Sequence, residues 1–140
     1  MPIKINHVAV VVSDLESSLP FWRDLLGLSG GQTQDVPQEQ VRIAFLEAGD
    51  SHIELVQPTS ETSGIAQYLA KRGAGMHHIC FEVEDLEATM RHMAANGVTL
   101  LNDVPKEREG QRYVFIHPKS TGGVLVELYE QRSNVDAPHK

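Results

Sequence analysis

An internal repeat is the feature of this sequence that most restricts its fold. Residues 5–16 (INHVAVVVSDLE) resemble residues 76–87 (MHHICFEVEDLE), which places His7 and His78 at equivalent positions. The match continues, again roughly 70 residues apart, between 42–46 (RIAFL) and 112–116 (RYVFI) and between 53–55 (IEL) and 126–128 (VEL). A chain of 140 residues is long enough for one packed core and too short for two independent domains. The repeat therefore predicts one domain built from two copies of a single unit.

Each copy is predicted to fold as βαβββ. A β-branched run opens each copy, a helix with one apolar face follows, and three short strand-like runs complete it. Ser13 with Glu16 has the spacing of a capping box at the start of the first helix, and Asp85 takes this place in the second copy. We expect an α+β domain over residues 1–140 whose two modules enclose a cleft between mixed sheets. The first module covers about 3–58, a connecting segment 59–74 and the second module about 75–131.

The composition and charge exclude several classes of protein. Hydrophobic residues make up 41% and charged residues 22% of the chain, as in ordinary globular proteins. The net charge of −7 argues against a nucleic acid or an anionic membrane as partner. No apolar run reaches the roughly 20 residues of a membrane span, the first residues lack a signal-peptide pattern, and the lone Cys80 requires no oxidising compartment. We therefore expect a cytoplasmic protein.

Four side chains with metal-binding groups are predicted to point into the cleft. Successive strand residues face opposite sides, so packing their apolar neighbours on the helices leaves His7 and His78 on the other face. The same parity places Glu54 and Glu127 on that face. A single His or Glu on a strand is more often a surface residue, but a pair that recurs in both copies favours a metal site. Two imidazoles and two carboxylates suit a divalent ion and leave two positions of an octahedron open. His52 has no histidine counterpart in the other copy and is interpreted as a surface or turn residue.

Two arginines also occupy equivalent positions in the repeat. Parity, with Ile43 and Phe45 packed on the first helix, predicts that Arg42 and Arg112 face the cleft. They would then bind a carboxylate or phosphate of the substrate, while the alternative is a pair of solvated arginines on edge strands. Cys80 shares the cleft face and is interpreted as a small apolar filler.

A doubled βαβββ unit with His, Glu, His and Glu at these positions resembles the vicinal oxygen chelate superfamily. This superfamily includes glyoxalase I, extradiol dioxygenases, fosfomycin-resistance enzymes and methylmalonyl-CoA epimerases. Within it, residues 75–83 (GMHHICFEV), 42–58 with their IELVQP ending and above all 117–128 (HPKSTGGVLVEL) look like the methylmalonyl-CoA epimerase family. The resemblance covers nearly the whole chain.

The resemblance implies an isomerase that interconverts the (2R) and (2S) epimers of methylmalonyl-CoA by proton abstraction and return at carbon 2. It places one divalent ion per chain on His7, Glu54, His78 and Glu127, with Co²⁺ as the first expectation and Ni²⁺, Mn²⁺, Mg²⁺ and Zn²⁺ as alternatives. Glu127 is the candidate base, and Lys119 joins Arg42 and Arg112 as a candidate for binding the CoA thioester substrate. The family also implies a homodimer, with neither nucleic acid nor membrane as partner.

Three points remain open at the level of sequence. Some epimerases use a second glutamate on the strand that matches residues 40–47, but parity puts Glu47 on the helix side, so no second base is assigned. Glyoxalase I uses the same ligand types and is one alternative function. A metal-free small-molecule binding protein of the same fold is the other.

Overall fold

The computed structural model describes residues 2–131 and has the expected order of elements. Its helices are α1 (Leu15–Leu19), α2 (Gly64–Arg72) and α3 (Leu86–Ala95), with a π-helical segment (Pro20–Leu25) after α1 and a 3-10 turn (Pro118–Ser120) before the last strand. Its strands are β1 (Pro2–Val11), β2 (Ser29–Val36), β3 (Val41–Ala48), β4 (Ser51–Pro58), β5 (Gly75–Val83), β6 (Lys106–Arg108), β7 (Gln111–Ile116) and β8 (Val126–Glu130). A βαβββ series thus lies on either side of α2, which confirms the α+β class and the doubled unit. Within these residues, no helix has the length and apolar character needed to cross a lipid bilayer.

The chain divides into two compact units. The first unit comprises residues 7–77, and the second comprises residues 2–6 and 78–131. The boundaries fall inside β1 and β5, whereas the sequence repeat places them near residues 3 and 75. The connecting segment with α2 belongs to the first unit.

The first unit has the strand order β2-β3-β4-β1. Strand β4 runs parallel to β1, with His7 opposite His52 and Ala9 opposite Glu54. Strand β3 is antiparallel to both of its neighbours. Helix α1 covers one face of these strands, where apolar side chains form a buried cluster: Val12, Leu15, Leu19, Ala44, Leu46 and Leu55.

The second unit has the strand order β5-β8-β7-β6. Strand β8 runs parallel to β5, and Cys80 lies opposite Glu127. The start of β1 belongs to this unit, where Lys4 Nζ lies 3.3 Å and Asn6 Nδ2 lies 3.1 Å from Glu82 Oε2. Helix α3 covers one face with a second buried cluster: Val83, Leu86, Met90, Val114, Ile116 and Leu128.

Helices α1 and α3 each begin at an aspartate. The carboxylate of Asp14 accepts a hydrogen bond from the Ser17 backbone N–H at 2.9 Å, and Asp85 accepts one from Ala88 at 3.0 Å. These bonds satisfy amide groups that have no partner within the first turn of a helix. The prediction for Asp85 is confirmed, whereas the proposed cap at Ser13 is wrong by one residue.

In each unit, one sheet face is turned away from the helix α1 or α3, and we call it the site face. In the first unit it carries the apolar residues Ala9, Ile43 and Val56, with Phe45 packed against them. The predicted parity of β3 is therefore wrong, because Ala44 and Leu46 face α1 instead. The parity predicted for β7 is wrong in the same way, since Val114 and Ile116 face α3.

Candidate active site and metal centre

The first unit brings His7 and Glu54 together on its site face. His7 is 2% exposed, and its Nδ1 lies 3.3 Å from Glu54 Oε2. The pairing follows from local structure, because β1 and β4 are parallel neighbours and Ala9 lies opposite Glu54. His7 precedes Ala9 by two residues, so its side chain lies on the same face as those of Ala9 and Glu54. Ile53 and Leu55 face α1, as parity predicts.

His52 joins this pair, although its role was missed at the level of sequence. Its Nε2 lies 2.7 Å from Glu54 Oε2, and its ring stacks on that of His7 with centroids 5.0 Å apart and planes at 28°. His52 precedes Glu54 by two residues, so parity alone predicts that both lie on the same face, and the register places His52 opposite His7. The absence of a repeat counterpart was the wrong reason to set it aside.

The second unit contains the equivalent pair. Glu127 is 1% exposed, and its Oε1 lies 3.1 Å from Nε2 of His78. The ring of Phe115 meets the His78 ring edge to face, with centroids 5.4 Å apart. Phe115 lies opposite Glu127 in the β7–β8 register, so it stands beside the carboxylate on the same face.

The guanidinium of Arg108 also lies near Glu127 in this unit. Nη2 of Arg108, at the end of β6, lies 3.6 Å from Glu127 Oε2. The guanidinium carbon lies 4.4 Å from the centroid of the Tyr113 ring, in cation–π geometry. Sequence reasoning missed Arg108 because β6 is short and has no equivalent motif in the first copy.

The predicted positions of Arg42 and Arg112 on the site face are wrong. Arg42 Nε lies 2.9 Å from Asp35 Oδ1, and this hydrogen bond holds the pKa of Asp35 below its ordinary value of 3.8. Arg112 contacts Glu87 in the first turn of α3, and its Nη1 lies 3.4 Å from Glu130 Oε1. Arg112 thus lines a surface cavity of about 450 Å³ on the helix side of its unit. Arg42 shares the helix-facing side of β3 with Ala44, and Arg112 shares the helix-facing side of β7 with Val114.

Three other residues considered in the sequence analysis, Lys119, Cys80 and Glu47, lie in different parts of the two units. Lys119 is exposed in the 3-10 turn, where its backbone N–H donates to His117 Nδ1 at 3.0 Å. Cys80 is fully buried on the site face of the second unit, opposite Glu127. Glu47 lies opposite His52 in the β3–β4 register, so it shares the site face of the first unit and the prediction of a helix-side Glu47 is wrong.

The donor set of the first unit fits a divalent cation. One donor atom from each of His7, His52 and Glu54 lies within 4.8 Å of the others, a spacing that a single ion can bridge. Glu127 is a nearly inaccessible carboxylate, and burial of such a charge is costly without positive partners. Imidazole nitrogen with carboxylate oxygen is a ligand combination suited to borderline divalent ions.

The chain belongs to the glyoxalase/bleomycin resistance protein/dioxygenase superfamily, whose family model matches residues 6–115. Within that class, the chain is 41% identical to the ethylmalonyl-CoA/methylmalonyl-CoA epimerase of Cereibacter sphaeroides, covering 89% of this chain and 96% of the relative. It is 39% identical to the mitochondrial methylmalonyl-CoA epimerase of Mus musculus, over 89% of this chain and 71% of the relative.

A solved structure shows the same relationship. Streptomyces coelicolor methylmalonyl-CoA epimerase, in complex with 2-nitronate-propionyl-CoA, superimposes with a TM-score of 0.82 at 33% identity. The match covers 95% of this chain and all of that chain (100%). The likeness therefore extends over nearly the whole fold.

Proposed function

We propose that this protein is a methylmalonyl-CoA epimerase, an isomerase that interconverts the (2R) and (2S) epimers of its acyl-CoA substrate. The observation that carries this proposal is the pair of His–Glu contacts, His7–Glu54 and His78–Glu127, each with one buried member, in a chain whose relatives are named as epimerases. The S. coelicolor structure holds an acyl-CoA analogue, which supports a CoA thioester as the substrate here.

Four side chains are proposed to hold one divalent ion: His7, Glu54, His78 and Glu127. Their burial and donor types support this assignment, and Co²⁺ is the first candidate, with Ni²⁺, Mn²⁺, Mg²⁺ and Zn²⁺ as alternatives. When bound, such a cation supplies Lewis-acid stabilisation of the negative charge that develops on the thioester oxygen as carbon 2 loses its proton.

Glu127 is proposed to take the proton from carbon 2. Its carboxylate has little access to water, and the contact of Oε1 with His78 Nε2 leaves Oε2 directed towards Arg108. A carboxylate held in one orientation can meet the reacting carbon without first reorganising. Phe115 and Tyr113 flank the same face with aromatic rings and limit the access of water to the carboxylate. Inversion requires return of a proton on the opposite side of the planar carbon.

The oligomeric state, the cellular location and the partners are also proposals. We infer a homodimer in the cytoplasm, without nucleic acid or membrane as partner, from the acidic net charge and the family resemblance. The Mus musculus relative is a mitochondrial protein.

Deuterium incorporation tests the proposed reaction. The metal-loaded protein is incubated in D₂O with each epimer of methylmalonyl-CoA, and deuterium at carbon 2 is followed by NMR or mass spectrometry against an enzyme-free control. We expect both epimers to incorporate deuterium and to converge on one equilibrium mixture. Oxygen, reductant and glutathione should have no effect. Isomerisation of the hemithioacetal of glutathione without exchange at carbon 2 would instead identify a glyoxalase.

The repeat provides a matched control for the base. Glu127→Gln keeps the shape of the side chain and removes its charge and basicity, so it should abolish exchange. Glu54→Gln makes the same change at the equivalent position and keeps an oxygen able to bind an ion, so measurable exchange should remain. Equal activity in both variants would contradict the assignment of Glu127. Metal analysis of the purified protein separates the epimerase from a metal-free binding protein.

A further inference from the structure

Arg108 occupies a position on the site face of the second unit to which no role has been assigned. Its side chain is 27% exposed, so it is partly buried and partly accessible to solvent. One nitrogen, Nη2, approaches Glu127 Oε2 at 3.6 Å. Arg108 therefore brings a positive charge to the side of the carboxylate that faces away from His78.

The proposed substrate requires such a cation. Methylmalonyl-CoA carries a carboxylate on carbon 2, the carbon whose proton Glu127 would remove. That negative charge must be bound close to a second carboxylate, and two like charges at short range repel each other without a positive group between them. The guanidinium of Arg108 beside Glu127 adds a positive charge to that of the proposed metal ion, on the side of the carboxylate that faces away from His78.

The other described arginines of the second unit are less suitable. Arg112 lies on the helix side, where it contacts Glu87 and Glu130. Arg91 is exposed on α3. Arg108 is the arginine of this unit that the structure places within reach of Glu127.

Tyr113 gives Arg108 a fixed orientation. The guanidinium carbon lies 4.4 Å from the Tyr113 ring centroid, and the ring is itself packed edge to face against Phe115, with centroids 6.0 Å apart. Stacking on an aromatic ring orients the planar fork of N–H donors. A guanidinium carries five N–H donors in a planar fork, so one arginine can bind more than one carboxylate.

We propose that Arg108 binds the carboxylate on carbon 2 of the substrate and thereby selects malonyl-type thioesters over simple acyl-CoA. This inference rests on the proposed epimerase function and names the residue that recognises the substrate acid. With its carboxylate held by Arg108, the substrate presents carbon 2, one bond away, to Glu127. Arg108 thus acts as both a binding and a positioning residue.

Binding measurements with two ligands test this role apart from catalysis. Isothermal titration calorimetry on the metal-loaded protein compares racemic methylmalonyl-CoA with propionyl-CoA, which lacks only the carboxylate. The racemic mixture is used because epimerisation does not change its composition. We expect the unmodified protein to bind methylmalonyl-CoA more tightly, and Arg108→Met to lose about 10- to 100-fold of that affinity. Propionyl-CoA should bind Arg108→Met within about twofold of the unmodified protein.

Two further variants serve as controls. Arg108→Lys keeps the charge, so it should retain part of the preference for methylmalonyl-CoA even though it lacks the planar fork. Arg91→Met removes an exposed arginine from α3 and should change neither affinity. Circular dichroism and thermal melting establish that each variant is folded.

The outcomes separate this inference from the proposed function. If Arg108→Met keeps the full preference for methylmalonyl-CoA, or loses affinity for both ligands equally, the inference is overturned, whether or not deuterium exchange is observed. If the unmodified protein shows no preference, the inference is likewise overturned. If the preference depends on Arg108 but the unmodified protein exchanges no carbon-2 proton, the recognition of the carboxylate stands and the epimerase proposal fails.

Discussion

His52→Ala is the perturbation that most directly probes the proposed metal site, because it leaves all four proposed ligands in place. The substitution removes the 2.7 Å contact between His52 Nε2 and Glu54 Oε2 and the ring stacked on His7. A hydrogen bond to a charged group contributes roughly 1.5–3 kcal/mol, and loss of a residue that orients a metal ligand lowers metal affinity about 10- to 100-fold.

The burial of His52 selects the lower end of that range. Its side chain is 29% exposed, so water can replace part of the lost hydrogen bond to the Glu54 carboxylate. We therefore expect the dissociation constant for Co²⁺ to rise by about tenfold, which corresponds to about 1.4 kcal/mol. His52→Gln retains an amide N–H that can donate to Glu54, so its affinity should stay within about threefold of the unmodified protein.

Calorimetric titration with Co²⁺ gives both the affinity and the number of ions bound. His92→Ala is the matched control, because His92 is exposed on α3 and the same substitution there should leave metal binding unchanged. Unaltered affinity in His52→Ala would refute the argument that this imidazole orients Glu54. Complete loss of the bound ion would refute it differently, by showing that His52 is itself a ligand.

Three further predictions concern stability and charge. Leu55→Ala removes a fully buried side chain between the sheet and α1, and should lower the free energy of unfolding in urea by about 2–5 kcal/mol. Gly30→Ala places a Cβ 2.8 Å from the Phe45 carbonyl oxygen at a φ of +94°, so unfolding by urea should show a loss of more than about 1 kcal/mol. Arg42→Gln releases Asp35, whose pKa should rise towards 3.8 when followed by NMR. Because the contact lowers the pKa of Asp35, its stabilising effect is present above pH 3.8 and is lost as the pH falls through the lowered value.

The repeat predicted much of the fold and the strand positions of the paired side chains. It gave two βαβββ series and the faces of β1, β4, β5 and β8, on which His7, Glu54, His78 and Glu127 lie. In β4 and β8 each glutamate is flanked by large apolar residues, and in β1 and β5 large apolar residues alternate after each histidine, so only one orientation buries the apolar side chains against the helix. The alternation of polar and apolar residues was therefore sufficient to predict which face of these four strands packs on a helix.

The same reasoning failed for β3 and β7 because both faces of these strands are apolar. In β3, Ile43 and Phe45 alternate with Ala44 and Leu46, and the sequence alone does not decide which of these pairs packs on the helix. The first unit buries apolar side chains on both faces, with α1 on one side and the cluster around Ile43 on the other. Where neither face is polar, parity fixes which residues share a face but not which face meets the helix. Arg42 and Arg112 lie on these two strands, so they were predicted on the wrong face.

The residues that the repeat did not predict are those that make the two halves differ. Glu54 meets two imidazoles, His7 and His52, whereas the equivalent Glu127 meets His78 and the guanidinium of Arg108. The additional histidine contacts the Glu54 carboxylate and fixes its orientation, which suits the proposed role of Glu54 as a metal ligand. The additional arginine places a permanent positive charge beside Glu127, which suits that half for receiving an anionic group of the substrate. The duplicated unit thus supplies two similar carboxylates, each with one unrepeated neighbour, and the roles proposed for His52 and Arg108 assign different tasks to the two carboxylates.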